Sequence, residues 1–483
     1  MNLPTNLFLA LALFTSSSLQ CHSWAGHYYQ DPSSPAFPFP FPYVGGNGSV
    51  QNLDTMAPAA QCSRAERVAS LLLSKHSLEL VSYREIQSLW AGYGSISAIT
   101  ARATTDAAAE QMDNLLGRRS DRTYPLVLKL IAPPPPSSSA KVVQDEGHLR
   151  KMLSYGVEQY FYTRIAPELA DDVPVAKIVA TAQADDVTGL EVDEKAELKG
   201  VTATVMADLR SEFPVPGGRR ESLNQTQVSS ALGWLARFHG SSWEWLPTEL
   251  DEFLSPPLQE AKIRSEQGED KGGRSIWLNG GYTYLATRRK EYQSLVEDKS
   301  SEWSDALCKP VKGSCESIAE IVAAFLTPSG RPFETYIHGD VKSDNLFTTR
   351  SGDRVAFVDF QYVGLGLGVS DLAKLFTCSV PQDLLVSEDD GSLPEELAME
   401  SGERKLLEEY LNTLHEFADM ADIDYPWDLF VRHWETALVD WCRFQASWGF
   451  WGNTEWLEAR VRSILKDEGW REWLLAQRDT GEI

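Results

Sequence analysis

The stretch His338-Gly339-Asp340-Val341-Lys342-Ser343-Asp344-Asn345, followed after a strand-like run by Val358-Asp359-Phe360-Gln361, decides what kind of fold this chain can have. It sets a carboxylate, an amide five residues on, and a second carboxylate delivered by Arg354-Val355-Ala356-Phe357-Val358. Three oxygen-bearing groups in that order suit one task. Asp340 is placed to accept the proton of an acceptor hydroxyl and aim it at a terminal phosphate, while Asn345 and Asp359 offer Mg²⁺ a neutral and a charged oxygen. Phosphoryl transfer needs mainly positioning and charge neutralisation, so few groups suffice. The competing reading is a polar turn before a hairpin with chance Asp and Asn. Strand, loop, hairpin and second carboxylate falling in order weigh against it. His338 is read as a brace for the loop, through its backbone or through Asp359.

Upstream, Lys129 stands among large apolar neighbours in a strand predicted over Thr123 to Ile131. A buried ammonium needs a partner. The helix predicted from Gln144 to Leu169 supplies Glu158. A strand lysine paired with a helix glutamate can clamp the α- and β-phosphates of ATP; an edge strand with Lys129 facing water is the alternative. Two further strands within Leu78 to Thr104 are broken by Gly92-Tyr93-Gly94-Ser95. Gly92, Gly94 and Ser95 are candidates to cover phosphates with backbone amides, because glycine permits close approach, although any hairpin can carry two glycines. Val205-Met206-Ala207-Asp208-Leu209 ends a strand where two lobes would join, so the backbone of Ala207 and Leu209 is a candidate for adenine. An ordinary interdomain link is the plainer account.

Composition bounds the classes. The chain has 483 residues, enough for one large two-lobed domain or two ordinary ones. A net charge of −25 argues against nucleic-acid binding and against anionic lipid surfaces. It favours a cationic substrate or simply solubility. Six scattered cysteines form no zinc spacing; Cys308 and Cys315 read as unpaired thiols rather than a bridge. No run of 18 or more apolar residues marks a membrane span. Leu7 to Phe14 followed by Ser16, Ser17 and Ser18 reads as the core of a leader over 1–25, without any Lys or Arg before Arg64. Secretory targeting, plastid targeting, and a start at Met56 with a cytoplasmic product all stay open. Residues 26–62, with alternating prolines, read as a flexible linker. Asn47-Gly48-Ser49 and Asn224-Gln225-Thr226 are candidate glycan sites should the chain enter a secretory compartment, although such triplets arise often by chance.

Residues 63–210 carry the strand patterns, with further strands over Val175 to Ala182 and Val201 to Met206 around a polar turn at Asp185 to Glu197. Residues 211–483 are mostly helical. The apolar spacing of Val228, Ala231, Leu232, Leu235 and Phe238 predicts one helix. Others are predicted over Tyr282 to Val296, Glu316 to Phe325, Glu403 to Met420, Leu429 to Gln445 and Thr454 to Leu475, with 251–275 charged and irregular. A strand-rich part followed by a helix-rich part implies an α+β chain with two lobes and a cleft between them. Asp371, at a helix start, is read as holding the catalytic loop, and His239 as a core histidine. Trp434, Trp441 and Trp448, seven apart, share a helix face. That face is read as a packing seam rather than a seat for a quaternary ammonium.

These residues resemble the choline kinase/aminoglycoside phosphotransferase superfamily, and within it the ecdysteroid kinase-like (CHK kinase-like) branch. The resemblance rests on His-Gly-Asp-x-x-x-x-Asn at 338–345, Asp359-Phe360-Gln361, Glu158-x-x-Phe161-Tyr162, and Leu235-Ala236-x-x-His239 with Trp243. It spans about residues 80 to 450. It implies a protein-kinase-like bilobal fold, with a small β-rich N-lobe and a larger helical C-lobe. It also implies ATP, Mg²⁺ and a small hydroxyl-bearing acceptor. By position, Asp340 is then the base, Asn345 and Asp359 the metal ligands, and Lys129 with Glu158 the phosphate clamp. A protein kinase fits less well, since Gly339 stands where such enzymes usually carry arginine. A catalytically silent nucleotide-binding or regulatory protein is the other alternative.

Overall fold

The computed structural model describes residues 62–89, 92–133, 145–183, 192–247, 249–267, 276–386, 393–418 and 422–479. The expected leader, the Pro-rich linker up to its last residue, Met56 and the Asn47 triplet lie outside the described residues. Helix α1 (Arg64–Ser74) is opened by the Ser63 hydroxyl, which accepts from the Glu66 N–H. Strands β1 (Leu78–Ser88) and β2 (Gly94–Ala103) form an antiparallel hairpin. Then come α2 (Asp106–Leu116), β3 (Thr123–Ile131), α3 (Glu146–Tyr160), β4 (Ile178–Ala182), α4 (Val192–Leu198) and β5 (Thr202–Ala207). The five strands make one antiparallel sheet in the order β1-β2-β3-β5-β4. Period-two alternation splits β3 between two environments. Tyr124, Leu126 and Leu128 enter a core with Val68 and Leu72 of α1 and Met112 of α2. Lys129 is sent to the opposite face, level with Ile96 and Thr204.

The rest is mainly helical. Strand β6 (Val215–Pro216) precedes helices α5 (Gln225–Ser241), α6 (Pro257–Gln267), α7 (Arg289–Glu297), α8 (Glu302–Cys308) and α9 (Ile318–Leu326). Four short strands follow: β7 (Glu334–Ile337), β8 (Leu346–Thr348), β9 (Val355–Phe357) and β10 (Gly364–Leu367). β8 lies between β6 and β9, and β10 pairs with β7. Helices α10 (Val369–Cys378), α11 (Ser401–Ala418), α12 (Trp427–Trp448), α13 (Thr454–Lys466) and α14 (Glu468–Asp479) complete the chain. The architecture is α+β, a small sheet-bearing lobe before a larger helical one, as the sequence implied. Among the described residues, no helix is long and apolar enough to cross a membrane.

Several local expectations are corrected. The helix expected to reach Leu169 is regular only to Tyr160; a π turn (Phe161–Ile165) and a 3₁₀ turn (Ala166–Glu168) follow. Helix α4 occupies part of the expected polar turn. Helix α6 occupies part of the charged stretch, where the buried Glu260 accepts from the Ser255 N–H. The helix expected from Tyr282 begins only at Arg289, because the Tyr282 carbonyl is taken by Arg288 Nε (2.8 Å) and Thr287 Oγ1 (3.2 Å). The last expected helix is two, divided where the Asp467 side chain accepts from the Gly469 N–H (2.8 Å). The reading of Cys308 and Cys315 as unpaired thiols, by contrast, holds. Asn224 caps α5 in a reciprocal box with Gln227.

The helical core contains a buried histidine with a measurable consequence. His433 Nδ1 meets the Tyr425 hydroxyl at 2.7 Å, and burial pushes its pKa from 6.5 down to about 3. Between those values the unfolded chain takes up a proton that the folded chain refuses. Stability is therefore whole above pH 6.5 and falls as the pH drops, by at most about 1.4 kcal/mol per unit from this group. His433→Gln removes that contribution. Urea titrations at pH 7 and pH 5 should differ less for the variant than for the wild type, and an equal difference contradicts the assignment.

Candidate active site

The loop after β7 turns on Gly339, whose φ is +83° and where a Cβ would stand 2.4 Å from the Tyr362 carbonyl oxygen. Two consecutive backbone donors of this loop end on one carboxylate. The His338 N–H donates to Asp371 Oδ2 (2.6 Å) and the Gly339 N–H to Asp371 Oδ1 (2.9 Å). Asp371 is wholly buried at the start of α10 and also meets His239 Nε2 at 3.3 Å. Burial works against its charge, but the His239 hydrogen bond and the Lys374 ammonium outweigh it and hold the carboxyl below its ordinary range. His239 in turn meets the Tyr410 hydroxyl at 2.7 Å. His338 is braced through the backbone. Its Nδ1 accepts from the Asp340 N–H (3.3 Å), so its Nε2 carries the proton and donates to the Val358 carbonyl (3.0 Å). Burial keeps this imidazole below its usual pKa.

Asp340 is held from two sides. Lys342 Nζ donates to its Oδ2 (2.8 Å), as does Asn345 Nδ2 (2.9 Å). Burial pushes the Asp340 carboxyl up to about 6, against the pull of Lys342 and Asn345. Lys342 had no role in the sequence reading, because its side-chain direction depends on how the loop is wound. Asp359 follows β9 in the left-handed region (φ +67°, ψ 58°), which costs about 1 kcal/mol in a non-glycine residue. That turn separates the strand from the Phe360–Tyr362 3₁₀ turn, and Phe360 stacks on Phe161 of the π turn with centroids 3.7 Å apart.

Lys129 Nζ donates to Glu158 Oε2 at 2.6 Å and stands 3.6 Å from Asp359 Oδ1. Burial alone would strip the ammonium, but the two carboxylates outweigh it and its pKa lies above the ordinary value. Burial drives Glu158 upward, with Lys129 pulling the other way. The three side chains share a cleft between the lobes with Ala207 and Leu209. Its apolar walls include Ile86, Ile96, Val127, Met206, Phe347 and Val358. The Ala207 N–H already donates to the Lys177 carbonyl (2.8 Å).

The structure thus sets Lys129, Glu158 and Asp359 on one cleft with Ala207 and Leu209; Asp340 and Asn345 hydrogen-bond to each other and are not among the residues lining it, though Asp340 lies within reach of the Asp359 charge. Gly92, Gly94 and Ser95 do not line it; the flanking strand residues Ile86 and Ile96 do. Gly94 answers a packing demand instead, since a Cβ there would stand 1.8 Å from the Leu130 carbonyl oxygen. Trp434 is a core residue whose Nε1 donates to Glu403 (2.8 Å), so the expected seam holds for it.

The donor set fits a hard divalent cation. Asn345 Oδ1 and Asp359 Oδ1 are buried without a hydrogen-bond partner. Asp359 Oδ1 has only the Lys129 ammonium, at 3.6 Å, and neither oxygen accepts a hydrogen bond, which is costly in a buried site unless something else coordinates it. No group of three or more His, Cys, Asp or Glu among the described residues is placed to hold a metal alone. Two protein oxygens completed by phosphate and water are what magnesium commonly accepts.

The sequence profile of the ecdysteroid kinase-like family matches residues 119–393. No curated protein matches the chain in sequence. Similar solved structures include an ethanolamine kinase of Plasmodium vivax (12% identity over 85% of this chain and 88% of that one, TM-score 0.36). A choline kinase of Cryptosporidium parvum Iowa II is another (10% identity, 83% and 90%, TM-score 0.33). A third is a macrolide 2'-phosphotransferase of Brachybacterium faecium (13% identity, 83% and 98%, TM-score 0.33).

Proposed function

This chain belongs to the ecdysteroid kinase-like family, and from that premise we propose that it moves the γ-phosphate of ATP, with Mg²⁺, to an alcohol group of a small molecule. The observation that carries the reading is a pair of buried oxygens that accept no hydrogen bond, Asn345 Oδ1, whose amide nitrogen donates to Asp340, and Asp359 Oδ1 beside the Lys129 ammonium. In this reading Asn345 and Asp359 hold the metal, which supplies positive charge to the phosphate oxygens when bound. Lys129, kept in place by Glu158, binds the α- and β-phosphates. The Ala207 carbonyl and the Leu209 N–H take the adenine edge, the Ala207 N–H being engaged already. Asp340 orients the acceptor hydroxyl and receives its proton. Lys342 and Asn345 support the ionised form of Asp340 against its burial.

The deciding experiment is Mg²⁺-dependent ATP turnover over a panel of hydroxylated metabolites, wild type beside Asp340→Ala. A phosphorylated alcohol from the wild type alone supports the reading. Nucleotide binding with no product on any acceptor sinks it. A second expectation concerns the metal. Asp359→Asn keeps the side-chain shape but removes the charge, so the Mg²⁺ concentration for half-maximal turnover should rise at least about tenfold. An unchanged Mg²⁺ dependence would remove Asp359 from the metal site.

A further inference from the structure

A small cavity in the helical lobe is lined by residues of α9, α10 and α12 and by Ile337, the last residue of β7. Ile337 directly precedes His338, so the cavity adjoins the catalytic loop. Two nitrogen-bearing side chains on its wall have no acceptor. Lys374 is 5% exposed and its Nζ makes no hydrogen bond; Asp371 Oδ1 stands 4.0 Å away, beyond hydrogen-bonding reach. Both oxygens of that carboxylate are already taken, Oδ1 by the Gly339 N–H and Oδ2 by the His338 N–H and His239. Trp441 is 4% exposed, and its Nε1 is buried with no hydrogen-bond partner. The two side chains are neighbours, Lys374 Nζ lying 6.0 Å from the Trp441 ring. Asp440 also lines the cavity, but its Oδ1 is held by Arg443 through Nε (3.0 Å) and Nη2 (2.7 Å).

We propose that this cavity binds a carboxylate, with Lys374 Nζ and Trp441 Nε1 as its donors. The proposal goes beyond the phosphotransferase reading and does not depend on it. A buried ammonium and a buried indole N–H each lose hydration on folding, and an acceptor must replace it. An anion answers both donors through charge-assisted hydrogen bonds, which are about twice as strong as those a neutral acceptor makes. Size decides which anion. The cavity has about 30 Å³ of room for the centres of water-sized groups. One water asks for roughly 10–15 Å³ on that measure, so the two oxygens of a carboxylate fit and the four of a phosphate do not. The carboxylate comes either as a small free acid or as the tail of a larger ligand, the acceptor alcohol included.

Calorimetry on the full chain at constant ionic strength compares acetate with acetamide, its uncharged isostere, and with inorganic phosphate. Acetate should bind in the millimolar range, at least about tenfold tighter than acetamide, and phosphate should not displace it. Lys374→Met and Trp441→Phe should each weaken acetate by at least about tenfold. Trp441→Phe keeps an aromatic ring in place, so it reads the lost donor even where Lys374→Met fails to fold. No acetate binding, acetamide binding equally well, displacement by phosphate, or an unchanged acetate affinity in folded Trp441→Phe overturns the proposal and leaves the cavity to water. Straight-chain ω-hydroxycarboxylates with ATP and Mg²⁺ separate the two sources. A phosphorylated hydroxy acid whose formation acetate inhibits puts the carboxylate on the acceptor, and acetate binding without such a product makes it a free acid; both support the site. Acetate binding with no product from any alcohol fails the transferase reading alone.

Discussion

If the proposed transfer to an alcohol holds, Asp340→Asn should lower kcat/KM by about 10²–10⁴-fold, the range a positioned general base contributes, and should leave nucleotide affinity nearly unchanged. The separation follows from where the contacts lie. The Lys129–Glu158 pair, Ala207 and Leu209 line the cleft proposed for the nucleotide, and Asp340 is not among the residues lining it. The amide keeps an oxygen for Lys342 and Asn345 but cannot take a proton from a hydroxyl. Steady-state product formation and a nucleotide titration on the same preparation measure both halves. A variant with wild-type turnover would show that the acceptor proton leaves by another route. A variant that also loses nucleotide would mean that Asp340 serves the cleft rather than the acceptor.

Asp371→Ala should cost about 3–5 kcal/mol of stability and abolish turnover together. Asp371 touches no substrate in the proposed arrangement, yet it accepts both backbone donors of His338 and Gly339 and balances His239 and Lys374. Removing it strands two buried N–H groups and takes from Lys374 its nearest carboxylate. Asp344→Ala is the control within the same motif. Asp344 is only partly buried and accepts the Arg220 N–H (2.9 Å), so its loss should cost about 1 kcal/mol. Urea denaturation of the two variants decides the matter. Equal midpoints would show that the loop is held by its flanking strands and not by Asp371.

The loop from His338 to Asn345 was legible in sequence because its working groups are contiguous and delivered by a short hairpin. The Lys129–Glu158 pair was legible for a different reason: a lysine amid strand apolars must find a carboxylate. The sheet's strands were readable from alternation. What was not readable depended on contacts between distant segments. Lys342 points at Asp340 only because the loop winds back on itself. The start of α7 is delayed because Arg288 and Thr287 take the Tyr282 carbonyl, and Tyr282 follows Gly281, whose N–H is tied to the Tyr362 carbonyl. Helix α6 has a weakly apolar face and is anchored by a buried glutamate, a signal that reads as loop. The glycines between β1 and β2 looked like a phosphate cover, whereas Gly94 is needed for the approach of β3.

The π turn at Phe161–Ile165 carries one more consequence. It begins only at Phe161, whose own N–H still donates to the Val157 carbonyl, so the regular helix sets both Glu158 on Lys129 and Phe161 flat on Phe360, and the extra residue is taken up after them. Excising one residue there can be absorbed by closing the widened coil into regular helix, whereas the same deletion within α3 would swing everything downstream by about 100° with a retreat of about 1.5 Å. A scan of single-residue deletions should therefore find lower tolerance within α3 than just after Tyr160, and equal losses on both sides would contradict this account.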